Sequence, residues 1–425
     1  MLLEFKVRNF LSFKDMQVLR MRRKDKDGNE SGSDCAFIYG PNSSGKSNLI
    51  KAIEFSRNLI LGKIVKKDYL PYCNLDGEPY TEKPTYFEYR LELNGVRYSY
   101  GFEIDLLKRS ETLKIEDPHI LRKQLKNCII SEWLYDLSGP RPRPIWEYEA
   151  NSNLGMSKHV NRNGLATPGI EDIMDWFRNK LIVRTSEPEI EITPVPPDFI
   201  KTLSKDLHRF DTGISEVVLE KFTKVDKENK QIIPANIIKK YEKDMTKDCQ
   251  LITVYGNKRK RHWLIFADRQ WGEWIFYQVL FRHSSEYLAH VEEESIGTRK
   301  IIQLLALLAT QKTPDSKGAI VIDEIECSIH ALIMKEFVKE FKSGNYKGSQ
   351  LIITTHESRL LSEDCSGIDD VWFIKNEFSD EEKKSSLYSL KSFNGTIKKI
   401  DSMYLDGRFS AVPVFTSVFF KEGHP

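Results

Sequence analysis

The sequence predicts an α/β protein in which a core sheet carries a glycine-rich loop, joined by an antiparallel β subdomain and an inserted, mostly helical subdomain. Three stretches carry this prediction: "FIYGPNSSGKSNLIKAI" at 37–53, "TYFEYRLELNGVRYSYGFEI" at 85–104 and "GAIVIDEIE" at 318–326. The first and third join an aliphatic strand to a polar loop, which is typical of a buried parallel sheet. In the second, polar and apolar residues alternate in two runs on either side of a turn, which is typical of two antiparallel strands.

Size, charge and cysteine usage bound the classes of protein that the chain can represent. The 425 residues are enough for two or three domains, and 64 basic against 62 acidic side chains give no general attraction to nucleic acid. Six scattered cysteines without a C-x-x-C pair argue against a zinc site and a disulfide framework. The first ten residues are charged too early for a signal peptide, and the longest apolar run, 301–309, is too short to cross a bilayer. We therefore expect a cytoplasmic protein with no membrane partner.

The first third of the chain is β-rich on either side of the glycine loop. "LLEFKVRNFLSF" at 2–13 alternates like a strand, and Asn94-Gly95 between two β-rich runs is the strongest short signal for a hairpin. Aromatic strands follow at 131–137 and 144–149, on either side of a proline-rich turn. We predict that residues 1–150 form the first lobe.

Helical periods dominate the next part of the chain. "IEDIMDWFRNKLIV" at 170–183 and "IIPANIIKKYEKDM" at 232–245 space their apolar residues as helices do, with the proline-rich stretch 186–199 between them. Strand-like runs return at 250–256 and 261–268. We predict an inserted, mainly helical subdomain with returning strands over 151–285, and a second lobe over 286–425.

The loop at 40–48 has the pattern G-x-x-x-x-G-K-[ST], which is typical of a phosphate loop. Gly40 and Gly45 permit backbone angles at which successive N–H groups converge on one anion, with the positive end of a helix behind them. Lys46 would reach the outer phosphates of a nucleotide, and the Ser47 hydroxyl would take one position on Mg²⁺. A chance match in a flexible turn would lack the flanking strand and helix signals. The predicted contacts are Gly40, Pro41, Asn42, Ser43, Ser44, Gly45, Lys46, Ser47 and Asn48.

Two adjacent carboxylates follow the aliphatic strand that begins at 319. Asp323 would complete the Mg²⁺ shell with Ser47, and Glu324 would orient or deprotonate the water that attacks the nucleotide. The other interpretation is a core strand that reaches a solvated end. The phosphate loop in the same chain favours the catalytic interpretation.

A third aliphatic strand begins at 351 and leads to His356. Ligands of such sheets bind at the carboxyl ends of strands, so His356 could hydrogen-bond the γ-phosphate or the water. A purely structural histidine is the alternative. We predict the functional role, because the residue follows a strand of the same kind as the Asp-Glu strand.

A short turn, "ESIGT" at 294–298, opens a predicted helix. Ser295 can cap this helix, and the N–H groups of Gly297 and Thr298 can face an anion. An ordinary capped helix fits the spacing equally well, so the residues alone leave both interpretations open.

The order phosphate loop, Ser-x-Gly turn, Asp-Glu strand and strand–His resembles the ABC-type ATPase heads of the RecF, Rad50 and SMC group. Within that group the chain resembles the AAA15/AAA21 ATPases, especially the RloA/AbiLi-like proteins of bacterial anti-phage loci. The likeness rests on "LLEFKVRNFLSF", "GPNSSGKSNL", "PTYFEYRLELNGVRYSYGFEI", "DTGI" at 211–214, "ESIGT", "IDEIECSIH", "TTHE" and "YLDGRFSAVP". The fold that it implies is an ABC-type ATPase head.

The resemblance also implies ATP and Mg²⁺ as cofactors, and a head-to-head homodimer or higher oligomer. ATP on the phosphate loop of one subunit would be covered by Ser295, Gly297 and Thr298 of the other, and 328–330 would run across the dimer interface as the family's D-loop. The usual signature has leucine before its serine, whereas this chain has Glu294, as the anti-phage subgroup does. No glutamine is assigned to the family's Q-loop.

The resemblance leaves several functions in competition. We expect an ATP-hydrolysing dimeric switch of a bacterial anti-phage (abortive infection) system, which senses infection and controls a separate effector protein. The alternative is a RecF-like DNA repair ATPase that binds DNA. The basic stretch 256–263 would suit DNA, but a solvated hairpin turn is its simpler explanation. Nucleic acid is therefore not a required partner.

Two further classes fit the sequence less well. A built-in nuclease would need another domain after His356, for which the remaining chain is too short. A transporter ATPase would be a more compact head with a membrane partner, without the insertion predicted over 151–285.

Overall fold

The computed structural model describes residues 1–24, 30–62, 74–75, 78–79, 83–105, 129–149, 169–185, 190–221, 245, 247–254, 263–284, 286–312, 317–362, 364–378, 383–397 and 399–412. The chain divides into two compact units. The first comprises 1–185, 318–325 and 350–425, and the second comprises 186–317 and 326–349. Helices and several sheets occur together, so the predicted mixed α/β class is confirmed.

A six-stranded core sheet in the first unit carries the glycine-rich loop. In spatial order its strands are β12 (Leu181–Arg184), β19 (Ala319–Ile322), β20 (Gln350–Thr354), β5 (Cys35–Tyr39), β21 (Val371–Phe378) and β22 (Lys383–Ser389). All neighbours from β12 to β21 are parallel, and β22 alone runs antiparallel to its neighbour. β19, β20 and β5 are buried along their whole length, which explains their apolar runs.

An antiparallel sheet forms the second layer of this unit. Its order is β11 (Arg143–Glu149), β10 (Ile129–Asp136), β9 (Val96–Ile104), β8 (Thr85–Leu93), β1 (Leu2–Arg8) and β2 (Gln17–Arg20). The predicted hairpin is present, since Asn94 and Gly95 adopt φ angles of 51° and 79°. Two separate two-stranded antiparallel sheets are also present. One pairs β3 (Arg22–Lys24) with β4 (Glu30–Gly32), and the other pairs β6 (Asn74–Leu75) with β7 (Glu78–Pro79).

Helix α1 (Lys46–Ile60) packs into one apolar core with residues of both sheets. The ring of Phe55 stacks on that of Phe87, with centroids 5.7 Å apart. Helix α2 (Ile170–Asp175) continues into a π-helical turn (Trp176–Lys180), which enters the same core. This packing fixes the axis of α1, and with it the position of the loop that precedes it. The remaining short elements of this unit are 3-10 turns at Ser358–Leu361, Ile368–Asp370 and Leu390–Ser392.

The second unit is built on another antiparallel sheet. Its order is β13 (Ile190–Pro194), β15 (Cys249–Val254), β16 (Trp263–Gln270), β17 (Glu273–Arg282) and β14 (Glu216–Lys221), and β18 (Leu288–His290) pairs with β17. Helices α3 (Phe199–Arg209) and α4 (Ile296–Thr310) share an apolar cluster with this sheet. Helix α5 (Ala331–Lys342) contributes to the same cluster through Ile333. The last helix among the described residues, α6 (Ile400–Leu405), belongs to the first unit.

The returning strands predicted at 250–256 and 261–268 are present as β15 and β16. The mainly helical character predicted for 151–285, however, does not hold for the residues that the structure describes there. Strands β12 to β17 lie in this range, against α2, α3 and one π-helical turn. The β-branched and aromatic runs at 216–221 and 273–282 pair with each other across the sheet, which a local periodicity does not reveal. The proline-rich stretch supplies β13. Of the helix predicted over 232–245, only Met245 lies within the described residues, and it is not helical.

The two units also divide the chain differently from the predicted lobes of 1–150, 151–285 and 286–425. Residues 169–185 belong to the first unit, because β12 pairs with β19 in the core sheet. Residues 286–317 and 326–349 belong to the second unit, where α4 and, through Ile333, α5 join its apolar cluster.

The antiparallel sheet of the first unit carries a buried carboxylate, Glu88, on the face opposite the apolar core. Burial would raise the pKa of Glu88, but hydrogen bonds outweigh it and lower the pKa to about 2. They come from Lys6 Nζ at 2.7 Å, the Tyr86 hydroxyl at 2.7 Å and the Ser99 hydroxyl at 2.8 Å. Because this pKa lies below the ordinary value of 4.5, ionised Glu88 stabilises the fold at neutral pH, and the contribution is lost as the pH falls from 4.5 towards about 2.

We expect Glu88→Gln to lower the free energy of unfolding at neutral pH by about 1–3 kcal/mol, because Lys6 would keep its charge beside a neutral amide. The difference from wild type should shrink as the pH falls below about 4.5, where the wild-type carboxylate begins to take up a proton. Urea unfolding over this pH range measures both effects, with Glu92→Gln on the same strand as the more exposed control. If the difference in free energy of unfolding between Glu88→Gln and wild type does not change with pH, the conclusion that ionised Glu88 stabilises the fold is contradicted.

Candidate functional site

The glycine-rich loop joins β5 to α1 at the carboxyl edge of the core sheet. Gly45 has a φ of 107° and Ser43 a φ of 59°, so the backbone turns sharply before α1 begins at Lys46. The first turn of α1 has neither a side-chain cap nor an acidic residue, which leaves the positive end of the helix available to an anion. Asn42 is exposed at the loop, and Ser47 is partly exposed in the first turn of α1. The loop therefore has the geometry of an anion cradle.

Lys46 and the start of the loop are packed closely together. Lys46 Nζ donates to the carbonyl oxygens of Gly40 at 2.9 Å and Pro41 at 3.0 Å, so its charge is held against the loop. A side chain at position 40 would lie 2.4 Å from the carbonyl oxygen of Ile374, which explains the glycine there. The Ser44 hydroxyl is buried and has no hydrogen-bond partner among the described residues. A phosphate oxygen would be a suitable partner for it.

Two serines that were not among the predicted site residues, Ser12 and Ser385, lie close to Gly45 of the loop. A Cβ atom at Gly45 would lie 2.8 Å from Ser12 Oγ and 2.6 Å from Ser385 Oγ. Asn48 Nδ2 donates to Ser12 Oγ at 2.8 Å, and the backbone N–H of Ser385 donates to the Ser12 carbonyl at 2.9 Å. Because these contacts join both ends of the chain to the loop, no local motif could have predicted them.

The predicted metal ligand and the predicted base are linked by one hydroxyl group. Asp323 follows β19 and is 3% exposed. The Thr354 hydroxyl, at the end of β20, donates to Asp323 Oδ1 at 2.6 Å and accepts from the Glu324 backbone N–H at 2.7 Å. Glu324 adopts the left-handed region, with a φ of 49°, which is uncommon outside glycine and occurs often at functional sites. The Asp323 backbone N–H donates to the Arg184 carbonyl on β12 at 2.9 Å.

His356 lies two residues beyond the end of β20 and is partly exposed. The backbone N–H of Thr355 donates to the carbonyl of Ile38 on β5 at 3.0 Å, which ties this segment to the strand that feeds the glycine loop. His356 is therefore held at the same edge of the sheet as the loop. This position fits the predicted contact with a γ-phosphate or a water.

Parallel pairing brings three of the predicted groups together. β20 lies between β5 and β19, with Thr354 opposite Ile38 and Ile353 opposite Ile322. The carboxyl ends of these strands therefore meet at one edge, where the loop 40–48, the two carboxylates and the histidine follow them. The predicted signature residues belong to the second unit.

The signature turn forms the start of α4. Ser295 is the N-cap residue, and its Oγ accepts from the Thr298 backbone N–H at 3.0 Å, as predicted for a capped helix. A Cβ atom at Gly297 would lie 2.8 Å from the carbonyl oxygen of Ser328, so glycine permits the close approach of 328–330. His330 in turn caps α5 by accepting from the Leu332 backbone N–H. The two predicted interface segments are thus neighbours within the second unit.

The oxygen atoms at the sheet edge suit a magnesium ion. The Ser47 hydroxyl and the Asp323 carboxylate are hard oxygen donors, and Mg²⁺ is usually held by one or two protein oxygens together with substrate phosphates and water. The residues present therefore fit Mg²⁺ with a nucleotide.

A strand, glycine loop and helix beside an acidic strand end define the class of phosphate-loop nucleotide-binding proteins. The model of one family, described as "AAA domain, putative AbiEii toxin, Type IV TA system", matches residues 35–362. The chain belongs to this family, which confirms the predicted class of AAA21 ABC-type ATPases. The narrower resemblance to RloA/AbiLi-like proteins stays a prediction.

Solved structures of SMC heads are similar to this chain at low identity. An SMC head bound to the C-winged helix domain of ScpA has a TM-score of 0.45 and 13% identity over 92% of this chain and 98% of the other. The SMC head domain from Thermotoga maritima has a TM-score of 0.38 and 14% identity over 91% and 98%. An SMC head with an extended coiled coil, bound to the C-terminal domain of ScpA derived from Pyrococcus furiosus, has a TM-score of 0.42 and 12% identity over 96% and 99%. Likenesses of this size carry no argument about function.

No curated protein matches the chain. Within the described part of the chain, no helix combines the length and the apolar character needed to cross a membrane.

We expect Thr354→Val to lower the free energy of unfolding by about 1–3 kcal/mol, because the buried Asp323 oxygen and the Glu324 N–H would both lose their partner. Thr354→Ser keeps the hydroxyl and should cost about 1 kcal/mol or less. Urea unfolding of the two variants measures the difference. A loss for valine no larger than that for serine would show that the hydroxyl contributes no more than the methyl group, and would contradict its proposed role in holding Asp323 and the Glu324 backbone.

Proposed function

We propose that the chain binds ATP with Mg²⁺ and hydrolyses it. The observation that carries this proposal is the hydroxyl link at the sheet edge: Thr354 holds Asp323 and the backbone of Glu324 together beside the glycine loop. A structural strand end would not need a buried carboxylate held by a hydroxyl next to a second acidic residue whose backbone adopts the left-handed region. A nucleotide hydrolase needs one carboxylate for the metal and another for the water.

Different residues of the first unit have different roles in ATP binding and hydrolysis. The N–H groups of 40–47 and the Lys46 ammonium bind the phosphates, and Ser47 with Asp323 would hold Mg²⁺, which neutralises phosphate charge when bound. Glu324 orients the attacking water and takes up its proton. His356 hydrogen-bonds the γ-phosphate or the water, so that its contact differs between ATP and ADP.

We expect Glu324→Gln to retain ATP binding and to lose most turnover, by roughly 10²-fold or more, because the amide keeps the size of the side chain but cannot take up a proton. Lys46→Ala should instead weaken ATP binding, because the charge that contacts the phosphates is removed. Phosphate release and the equilibrium affinity for ATP, measured for both variants, separate the two roles. Full turnover by the Glu324→Gln protein would show that another group activates the water.

We also propose that two heads bind ATP between them. Ser295 and Gly297 lie at the start of α4, where N–H groups and the helix dipole favour an anion. These residues belong to the second unit. We assign them to the ATP that is bound by the phosphate loop of the partner subunit. Two apolar side chains beside these turns are strongly exposed: Ile296 is 62% and Leu332 61% exposed. Exposed apolar side chains next to polar signature residues suit an interface that forms only with nucleotide.

We expect a mixture of Lys46→Ala and Ser295→Arg subunits to recover hydrolysis that neither variant has alone. The heterodimer contains one composite site in which both the phosphate loop and the signature are intact. Turnover of the mixture is compared with that of each variant at the same total concentration, with heterodimer formation checked by two affinity tags. Heterodimers without recovered turnover would contradict the trans arrangement or show that the two sites act only together.

We propose that this ATPase is the switch of an anti-phage defence system and acts through a separate effector protein. The family description, which names a putative AbiEii toxin and a type IV TA system, supports this role. The second candidate, a RecF-like DNA repair ATPase, would share all of the nucleotide chemistry. Most of the basic stretch at 256–263 that would favour it lies outside the described residues. A gene for an effector beside this gene is expected for the first role and not for the second.

A further inference from the structure

Glu294 directly precedes the signature serine, at the position where the usual signature has leucine. Its side chain is only 5% exposed, so a carboxylate is buried beside the start of α4. A carboxylate buried without a partner is strongly destabilising. The structure therefore has to supply a partner where leucine would need only apolar contact.

The partner is His283, the residue that follows β17. Its Nε2 lies 2.7 Å from Glu294 Oε1, and its side chain is 33% exposed. An ionised carboxylate only accepts hydrogen bonds, so the imidazole donates through its Nε2–H group. The bond joins the end of a sheet strand to the residue before the signature turn.

A second motif packs against the same histidine. In "DTGI" at 211–214, Gly213 has a φ of 75°, and a Cβ atom there would lie 3.7 Å from His283 Nδ1. Ser215 Oγ lies within hydrogen-bond distance of the carbonyl oxygens of Arg282, at 3.0 Å, and His283, at 3.2 Å. Two motifs that are about 80 residues apart in the sequence therefore both lie next to His283, one bonded to its backbone and the other to its ring.

The charged neighbours of this pair contact other groups. Arg282 Nε donates to Glu216 Oε2 at 2.9 Å. Glu293 accepts from the His290 backbone N–H at 2.7 Å and from the Tyr287 hydroxyl. The charges of Arg282 and Glu293 thus have contacts of their own, separate from the bond between His283 and Glu294.

We propose that the His283–Glu294 pair positions the signature turn, and that the 211–215 turn holds His283 in place for this task. Glu294 is covalently joined to Ser295, whose Oγ caps α4 through Thr298, so anchoring the carboxylate also anchors the cap. Neither His283 nor Glu294 is assigned a contact with nucleotide, and both act through Ser295. The kinetic consequence of this inference rests on the proposed function, in which Ser295 completes the site of the partner subunit.

Hydrogen exchange of the full-length protein without nucleotide tests the positioning role independently of activity. In Glu294→Ala and His283→Ala, the backbone amides of 295–299, including the Thr298 N–H that bonds to Ser295, should exchange at least about tenfold faster. Glu294→Gln can still accept from the imidazole and should exchange at nearly the wild-type rate. The controls are His208→Ala and Glu273→Ala, which change exposed residues of α3 and β17. Unchanged exchange in both alanine variants would overturn the proposal.

Turnover and ATP affinity provide the second readout. Because a misplacement of about 1 Å can cost about 10²-fold in rate, Glu294→Ala should lose about 10- to 100-fold in turnover. ATP affinity should stay within about threefold of wild type, since the phosphate loop belongs to the other unit. Wild-type turnover in the alanine variants would contradict the inference. Absence of turnover in wild type would contradict the proposed function, and the exchange rates would still decide the inference.

A double variant guards against loss of folding. His283→Leu with Glu294→Leu removes both polar groups together, so it leaves no buried charge without a partner. We expect the double variant to fold and to exchange 295–299 faster than wild type, because apolar contact does not fix the direction of the turn. Wild-type exchange in the folded double variant would show that burial alone positions the signature and would overturn the proposal.

Discussion

Parallel pairing of three neighbouring strands, β5, β20 and β19, determines where every chemical group of the first unit lies. Each strand is buried along its length and ends at the same edge of the sheet. The glycine loop, the two carboxylates and the histidine have no sequence proximity to one another. They are brought together because strands that run in the same direction present their carboxyl ends together. The Thr354 hydroxyl then holds the Asp323 carboxylate and the backbone of Glu324 together.

In the second unit, the short signature turn is held in one geometry although it is not fully buried. Ser295, Gly297 and Thr298 open α4, and the close approach of the Ser328 carbonyl leaves no room for a side chain at Gly297. The residue before the turn is a buried carboxylate that bonds to an imidazole from the sheet. Directional polar contacts thus replace the apolar contact that leucine would make, and they specify orientation as well as proximity.

Much of the first unit could be predicted from sequence because its signals are local. The loop at 40–48, the Asn94-Gly95 turn and the aliphatic runs of β19 and β20 each depend on neighbouring residues only. In the second unit the local runs of β15 and β16 could also be predicted, whereas β14 and β17 could not, because they pair across more than 50 residues. Ser385 was missed for the same reason, since β22 brings it to Gly45 from the far end of the chain.

A structure of the full-length protein with a non-hydrolysable ATP analogue and Mg²⁺ tests the central claim most directly, namely that these groups form one nucleotide site. The account predicts that the β- and γ-phosphates lie within hydrogen-bond distance of Lys46 Nζ and of the loop N–H groups. It also predicts that the metal contacts Ser47 and lies beside Asp323, with Glu324 facing the γ-phosphate. Nucleotide bound elsewhere, or a metal remote from Asp323, would contradict the account.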